Sequence, residues 1–323
     1  MRVAIVNSSP NVYNLAVHRI ANYHIQRGDT VNIVEGYGLL LPDIWNADKC
    51  YFSCIFTWDL PNLVNPVRLL LKRGIEVEIG GPAATAMSQY IVEQTGITPY
   101  TGLDPRFEYV DGKFKTAFTS RGCPRNCSFC IVTRLEGKKL IEYDDFPIPT
   151  GDNPWICDNN ILMTSWPHQE MVVEKVKHLR NLDFNSGFDD RVWIKDPEKY
   201  WNLYHQLHLT CWRFAYDSPE QRQVIKDMAE FMHSKGVSYR SILVYCIIGI
   251  PGDTFEAARE RLQYLIDIGV SPYPQRFRPL NLLEHQYTPP GWEPRQLELL
   301  FGYFGVAFIW RSCSFKDYLR SKH

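Results

Sequence analysis

Three cysteines at C-x3-C-x2-C spacing constrain this chain more than any other feature. They are Cys123, Cys127 and Cys130 in Ser120-Arg121-Gly122-Cys123-Pro124-Arg125-Asn126-Cys127-Ser128-Phe129-Cys130. Gly122 and Pro124 open the stretch as a loop, and one short loop can wrap three thiolates around a single inorganic centre. Three thiolates hold three irons of a [4Fe–4S] cluster. Full ligation takes four, so one iron is left open to a ligand from solution. In a chain of this composition the spacing arises by chance about 0.007 times. A structural zinc site is one rival and would need a fourth ligand from far along the chain. Inert buried thiols are the other, although a Gly/Pro-containing loop is a poor place to build core.

With Phe129 just before its last cysteine, the loop resembles the signature loop of the radical S-adenosylmethionine (SAM) superfamily. The resemblance implies that SAM's amino and carboxylate groups chelate the open iron. An electron from the reduced cluster then cleaves SAM to methionine and a 5′-deoxyadenosyl radical, which abstracts a substrate hydrogen. The hard chemistry belongs to the cofactors, and the protein positions and shields them. A small electron donor, flavodoxin or ferredoxin, is implied by that mechanism and by no particular residue. The motif is specific for the superfamily and says little about the reaction.

The 323 residues suffice for one large or two modest domains. A net charge of −1 creates no global field favouring nucleic acid or an anionic membrane. Met1-Arg2 runs straight into the strand-like Val3-Ala4-Ile5-Val6-Asn7, with no leader pattern, and the apolar stretch Leu299 to Trp310 is too short to span a bilayer. Nine cysteines, an odd number, argue for a reducing compartment. The expectation is a cytoplasmic enzyme.

Residues 1–106 alternate short apolar strands (2–7, 31–35, 51–56, 76–79) with amphipathic helices near 11–26 and 61–73 that stop at Gly28 and Gly74. That pattern predicts a small parallel, Rossmann- or flavodoxin-like α/β layer. Gly80-Gly81-Pro82-Ala83-Ala84-Thr85 then reads as a β–α turn, with a phosphate cradle as the sharper alternative. The half resembles the cobalamin-binding domain that precedes many radical SAM cores. It departs from that family in being short and in lacking the Asp-x-His-x-x-Gly element whose His ligates cobalt, since His18 and His24 stand in other contexts. A degenerate domain kept for packing or substrate access is the favoured reading, and cobalamin is disfavoured.

Phe107 to Lys115 carries a hairpin signal with Asp111-Gly112 as its turn, leading into a first barrel strand at 115–120. From there to about 280, six β/α units can be counted. They match the partial (β/α)6 TIM-like barrel of the superfamily, whose active end lies at the C-terminal ends of the strands. The core is assigned to 107–290. Residues 291–323, with Leu297, Phe301, Phe304, Phe308 and Tyr318 at helical spacing, form a C-terminal cap helix.

Polar residues at predicted strand ends are the candidate cofactor contacts, because buried polar groups need partners. Asp158 and Asn159 suit SAM's amino group or ribose, and a strand-end turn explains them equally well. Asn185, Asp189 and Arg191 resemble an Asn-x-Gly-x-Asp-x-Arg pattern of related cores. Arg213 is placed to pair with the methionine carboxylate, as cationic residues on the fourth strand do in relatives, or to make a surface ion pair. Ile247 and Gly249 align with the element that packs on adenine. Tyr245 and Cys246 are weak catalytic candidates. Cys157 and Cys211, like Cys246, are more simply core thiols. The basic side chains of Arg121, Arg125, Arg134, Lys138 and Lys139 suit an anionic substrate or, more simply, balance a cluster's negative charge and Glu142, Asp144 and Asp145, and His285 reads as a solvated loop residue.

The function expected is reductive cleavage of SAM for hydrogen abstraction from a substrate the sequence does not name. A small metabolite or nucleotide is open, and so is a macromolecule. The alternatives are a cobalamin-dependent radical SAM methyltransferase and, from another class, a non-catalytic iron–sulfur or zinc binding module.

Overall fold

In the computed structural model the described residues are 1–36 and 42–322, and the chain divides into two compact units. The first contains Met1–Ala117, Arg121–Thr150 and Pro279–His285. The second contains Phe118–Ser120, Gly151–Arg278 and the chain from Gln286 onward. The cysteine loop thus belongs to the first unit, where the sequence reading groups it with the barrel.

In the first unit, the apolar run Val3-Ala4-Ile5-Val6 behaves as a strand buried on both faces should. It lies in β1 (Arg2–Asn7), an inner strand of a four-stranded parallel sheet. The order is β2–β1–β3–β4, with β2 at Thr30–Glu35, β3 at Lys49–Ser53 and β4 at Glu76–Gly80. Ala4 stands opposite Cys50 and Val6 opposite Phe52. The helix α1 (Leu15–Gln26) buries Val17, Ile20 and Ala21 in a cluster with Val3, Ile5 and Tyr51. The helix Leu60–Lys72 puts Leu63, Val67 and Leu70 into a second cluster with Val6, Phe52 and Ile79. Leu283, from the late segment of this unit, packs on that same core.

The hairpin expected at 107–115 is absent from the described structure of that stretch. A short helix, Pro105–Glu108, occupies its start, and the Asp104 carboxylate accepts from the Arg106 amide at 3.0 Å. A capping acid followed by proline at the first helical position outweighs a turn dipeptide further on. The expected first barrel strand is two short pieces, Thr116–Ala117 and Ser120–Arg121.

The second unit is built on parallel pairs. Trp155–Ile156 pairs with Asp183–Phe184, and Leu182 bridges Leu209. Trp212–Ala215, Ile242–Ile248 and Ser271–Arg276 form a three-stranded parallel sheet in that order. The helices Trp166–Val176, Pro197–Tyr204, Arg222–Ser234 and Phe255–Asp267 fall between these strands in the chain. Along Ile242–Ile248, Val244, Cys246 and Ile248 are fully buried on one face, while Leu243, Tyr245 and Ile247 alternate onto the other. The C-terminal stretch is three helices, Pro294–Phe304, Ala307–Ser312 and Phe315–Arg320, and not a single cap helix. The first ends at Gly305. Ser314 caps the third, its hydroxyl accepting from the Asp317 amide at 3.2 Å. Leu297, Phe304 and Tyr318 are buried as their spacing suggests, but Phe308 is 77% exposed. Among the described residues no helix is long and apolar enough to cross a membrane.

Candidate functional site

The cysteine loop is shaped by its glycine. Gly122 has φ +82°, and a Cβ there would come within 2.1 Å of the Lys139 carbonyl oxygen, so no other residue fits. The Cys123 amide donates to the Gly137 carbonyl at 3.2 Å, and the Cys130 amide to the Cys127 carbonyl at 3.1 Å. Cys123 is buried, Cys127, Phe129 and Cys130 are half-buried, and none of the three thiols is in a disulfide. Burial pushes the Cys130 thiol up, and the neighbouring Cys127 pushes it the same way. Among the described residues no three His, Cys, Asp or Glu side chains are gathered as a ready metal site. The donor set nonetheless fits an iron–sulfur cluster by its chemistry, because thiolates are the ordinary ligands of such clusters and this loop carries three, none in a disulfide.

Arg121, at the start of the loop, is buried and forks between two acids. Its Nε meets Glu108 at 2.7 Å and its Nη1 meets Glu136 at 3.1 Å. These partners are not Glu142, Asp144 or Asp145, the acids that the sequence sets near this cation.

The remaining candidates lie in the second unit. Asp158 is buried and accepts from the amides of Thr119, at 2.5 Å, and Ser120, at 3.1 Å, and from the Thr119 hydroxyl. The Thr119 hydroxyl is also 3.0 Å from His168 Nε2. Burial pushes the Asp158 carboxyl up to about 6 against these hydrogen bonds. Asp158 is thus a staple for the strand end that leads into the cysteine loop. Asn159 is half-buried beside it.

Asp189 and Arg191 are brought together: Arg191 Nε donates to Asp189 Oδ1 at 3.0 Å, and Asn160 Nδ2 donates to Asp189 Oδ2 at 2.9 Å. Asn185 joins a different group. Its carbonyl accepts from the Tyr245 hydroxyl at 2.9 Å, and Tyr245 in turn accepts from Arg213 Nη1 at 2.8 Å. Arg213 places the rest of its guanidinium on Asp183, Nε on Oδ1 at 2.6 Å and Nη2 on Oδ2 at 2.5 Å. The pair is largely buried, so it is neither a surface ion pair nor a free cation awaiting a carboxylate. Burial pushes the Tyr245 hydroxyl up to about 12, and its ring meets Tyr273 edge-on at 5.4 Å.

The Ile247 amide donates to Asp217 at 2.9 Å and the Gly249 amide to Asp253 at 3.0 Å. Asp253 is itself held by both terminal nitrogens of Arg261, at 2.9 Å each. Cys246 points to the opposite, fully buried face, where burial pushes its thiol up to about 12. It is a fully buried core residue. Cys157 and Cys211 are half-buried. His285 stands edge-on to Trp58 at 5.2 Å in the first unit.

No protein-family model matches the chain, and no curated protein sequence does. Among solved structures, TsrM of Kitasatospora setae, a radical S-adenosylmethionine methyltransferase with cobalamin and a [4Fe–4S] cluster bound, matches at a TM-score of 0.59. The match covers 86% of this chain and 75% of that one, at 12% identity. In fold, the chain is similar to a radical SAM methyltransferase. A second structure of TsrM, with tryptophan substrate and the SAM analogue aza-SAM bound, matches at a TM-score of 0.58 with the same identity, over 86% of this chain and 73% of that one.

Four residues that organise these groups were not singled out from the sequence: Asn160, Asp183, Asp217 and Asp253. Asp253 follows Gly252, and Asn160 extends Asp158-Asn159, so both were within reach of the reasoning that found their neighbours. Asp183 carried one signal, a charged residue inside the short apolar stretch Leu182-Asp183-Phe184, where burial demands a cationic partner.

Proposed function

We propose that this chain is a radical SAM enzyme in which Cys123, Cys127 and Cys130 hold a [4Fe–4S] cluster with one iron open to SAM. The observation that carries the reading is the three-thiol loop opened by Gly122, in a chain whose fold is similar to that of a radical SAM methyltransferase. The bound cluster would supply one electron for cleavage of SAM. The protein's own residues act around it. Glu136 and Arg121 hold the ends of the cysteine loop, and Asp158 ties down the strand end that precedes it. The parallel strands of the second unit, with Phe118–Ser120, are read as a partial (β/α)6 barrel. Arg213 and Tyr245 line the half-buried face of its sheet, with the Asn185 backbone carbonyl on the Tyr245 hydroxyl, and Ile247 and Gly249 offer an apolar wall and a close backbone approach to an adenine. A small flavodoxin or ferredoxin is the proposed electron donor.

Two reactions fit this class. Hydrogen abstraction needs nothing further. Cobalamin-dependent methyl transfer is supported at least as well, because TsrM holds cobalamin and the parallel sheet of the first unit reverses its strand order between β1 and β3. Open α/β sheets bind ligands at that kind of position. The case for disfavouring cobalamin rests on the shortness of the domain and its missing His motif, and the likeness to TsrM does not support it.

The test is anaerobic purification with iron, sulfide, zinc and cobalt analysis, then dithionite reduction with SAM and chromatography of the products. About four irons per chain with 5′-deoxyadenosine release is expected for hydrogen abstraction. The same iron content with bound cobalamin and S-adenosylhomocysteine is expected for methyl transfer. A colourless, zinc-loaded protein that leaves SAM intact overturns the class.

A further inference from the structure

A buried chain of alternating charges runs through the first unit. Arg19 on α1 meets Glu108 at 3.0 Å, Glu108 meets Arg121 at 2.7 Å, and Arg121 meets Glu136 at 3.1 Å. All four side chains are at most 10% exposed. The charges cancel in sequence, two guanidinium groups against two carboxylates. Burial alone would push the Glu108 carboxyl up, but Arg121 and Arg19 together hold it below its ordinary range. Tyr143 adds a hydroxyl donated to Glu108 at 2.9 Å.

The far end of this chain closes the cysteine loop. Glu136 takes Arg121 on one oxygen and the Gly122 amide on the other, at 2.9 Å, so a residue after the third cysteine grips two residues before the first. The Cys123 amide bond to the Gly137 carbonyl completes the clasp. Loop ends pinned in this way limit how far the three thiols between them can spread. Removing one member of a buried ion chain leaves its neighbour uncompensated, so a change at one end is felt along it.

We propose that Arg19, a hundred residues upstream of the motif, is a positioning residue for the metal centre, acting through Glu108, Arg121 and Glu136 on the ends of the cysteine loop. The N-terminal α/β layer is then part of the apparatus that holds the loop, and not only a neighbouring domain. This rests on the cluster reading given above.

The experiment compares wild type with Arg19→Met, Arg19→Lys and Glu136→Gln in the full chain. One readout needs no metal: hydrogen exchange of the apo protein over residues 120–137. The other is iron per folded chain after anaerobic reconstitution. In Arg19→Met, the Gly122 and Cys123 amides are expected to exchange about tenfold faster while β1 and β3 keep their protection, and iron uptake falls to less than half. Arg19→Lys restores part of both, and Glu136→Gln reproduces the loop effect from the other end. Unchanged loop exchange and full iron in Arg19→Met and Glu136→Gln overturn the proposal. A uniform acceleration across the whole first unit does so too, because it shows an ordinary core role. A wild type that takes up no iron overturns the cluster reading itself, and this proposal with it.

Discussion

Asp190 is buried next to Asp189, and its Oδ2 has no hydrogen-bond partner among the described residues. Its Oδ1 accepts from the Arg191 amide at 3.0 Å and from Gln221 at 3.5 Å. Burial first, and the Asp189 charge second, push the Asp190 carboxyl up to about 7 from an ordinary 3.8. The folded chain therefore keeps a proton that the unfolded chain releases. The stability this contributes is full below about pH 4 and is lost as pH rises through about 7. Asp190→Asn keeps the shape without the charge. Its urea unfolding free energy is expected to match wild type near pH 3 and to exceed it by ~4 kcal/mol at pH 8. Parallel pH profiles for the two proteins would show that Asp190 ionises as an exposed acid does. At this scale the sequence was legible for residue type and not for partner. Arg213 stood out as a cation on a strand, but its carboxylate, Asp183, lies 30 residues earlier, and only the assembled strands bring the two together. Asp158 reads from the sequence equally as a cofactor contact or a strand-end turn, and its hydrogen bonds run to Thr119 and Ser120, partners that only the assembled strands reveal.

Among the turns, Gly81 is the least replaceable outside the cysteine loop. It has φ +102° and ψ 176°, a conformation open essentially to glycine alone, and a Cβ there would lie 2.5 Å from the Cys54 carbonyl oxygen. The next amide inward, that of Ala83, donates to the same carbonyl at 3.1 Å. The turn thus closes on the Cys54 backbone, as a plain β–α turn does. Gly81→Ala is expected to cost about 3 kcal/mol or more, read as a lower urea midpoint. A variant of wild-type stability would mean that the turn shifts freely. The strands and main helices of the first α/β layer are legible because the strands are short apolar or alternating runs and the two long helices end at glycine, two local signals. The C-terminal region was legible only as helical. Periodicity carries across Gly305 and Ser314 in the sequence, while the chain stops and restarts there.

On the scale of the whole chain, the two units are interleaved in sequence, and the first is assembled from three segments. A fragment ending at residue 117 would lack both Arg121, which compensates Glu108, and Leu283, which covers the second core cluster. A fragment ending at residue 150 regains the first of these. Circular dichroism melts are expected to show cooperative unfolding for 1–150 at a higher temperature than for 1–117. Equal melts would mean that the ion chain adds nothing to the layer's stability. No family model matches the chain although its fold is similar to TsrM at 12% identity. This is why a three-cysteine loop and a strand pattern said more about the class than any longer likeness of sequence. The segment Pro279–His285 has a temporal consequence. Leu282 accepts from the Thr57 hydroxyl and Leu283 packs on the core laid down by the first strands, so a nascent chain gains these contacts only once both have been made. At about 5–20 residues per second, a ribosome delivers that closing segment roughly 10–30 s after Ala117. Through that interval the earliest-made layer is exposed to chaperones and proteases in an unfinished state.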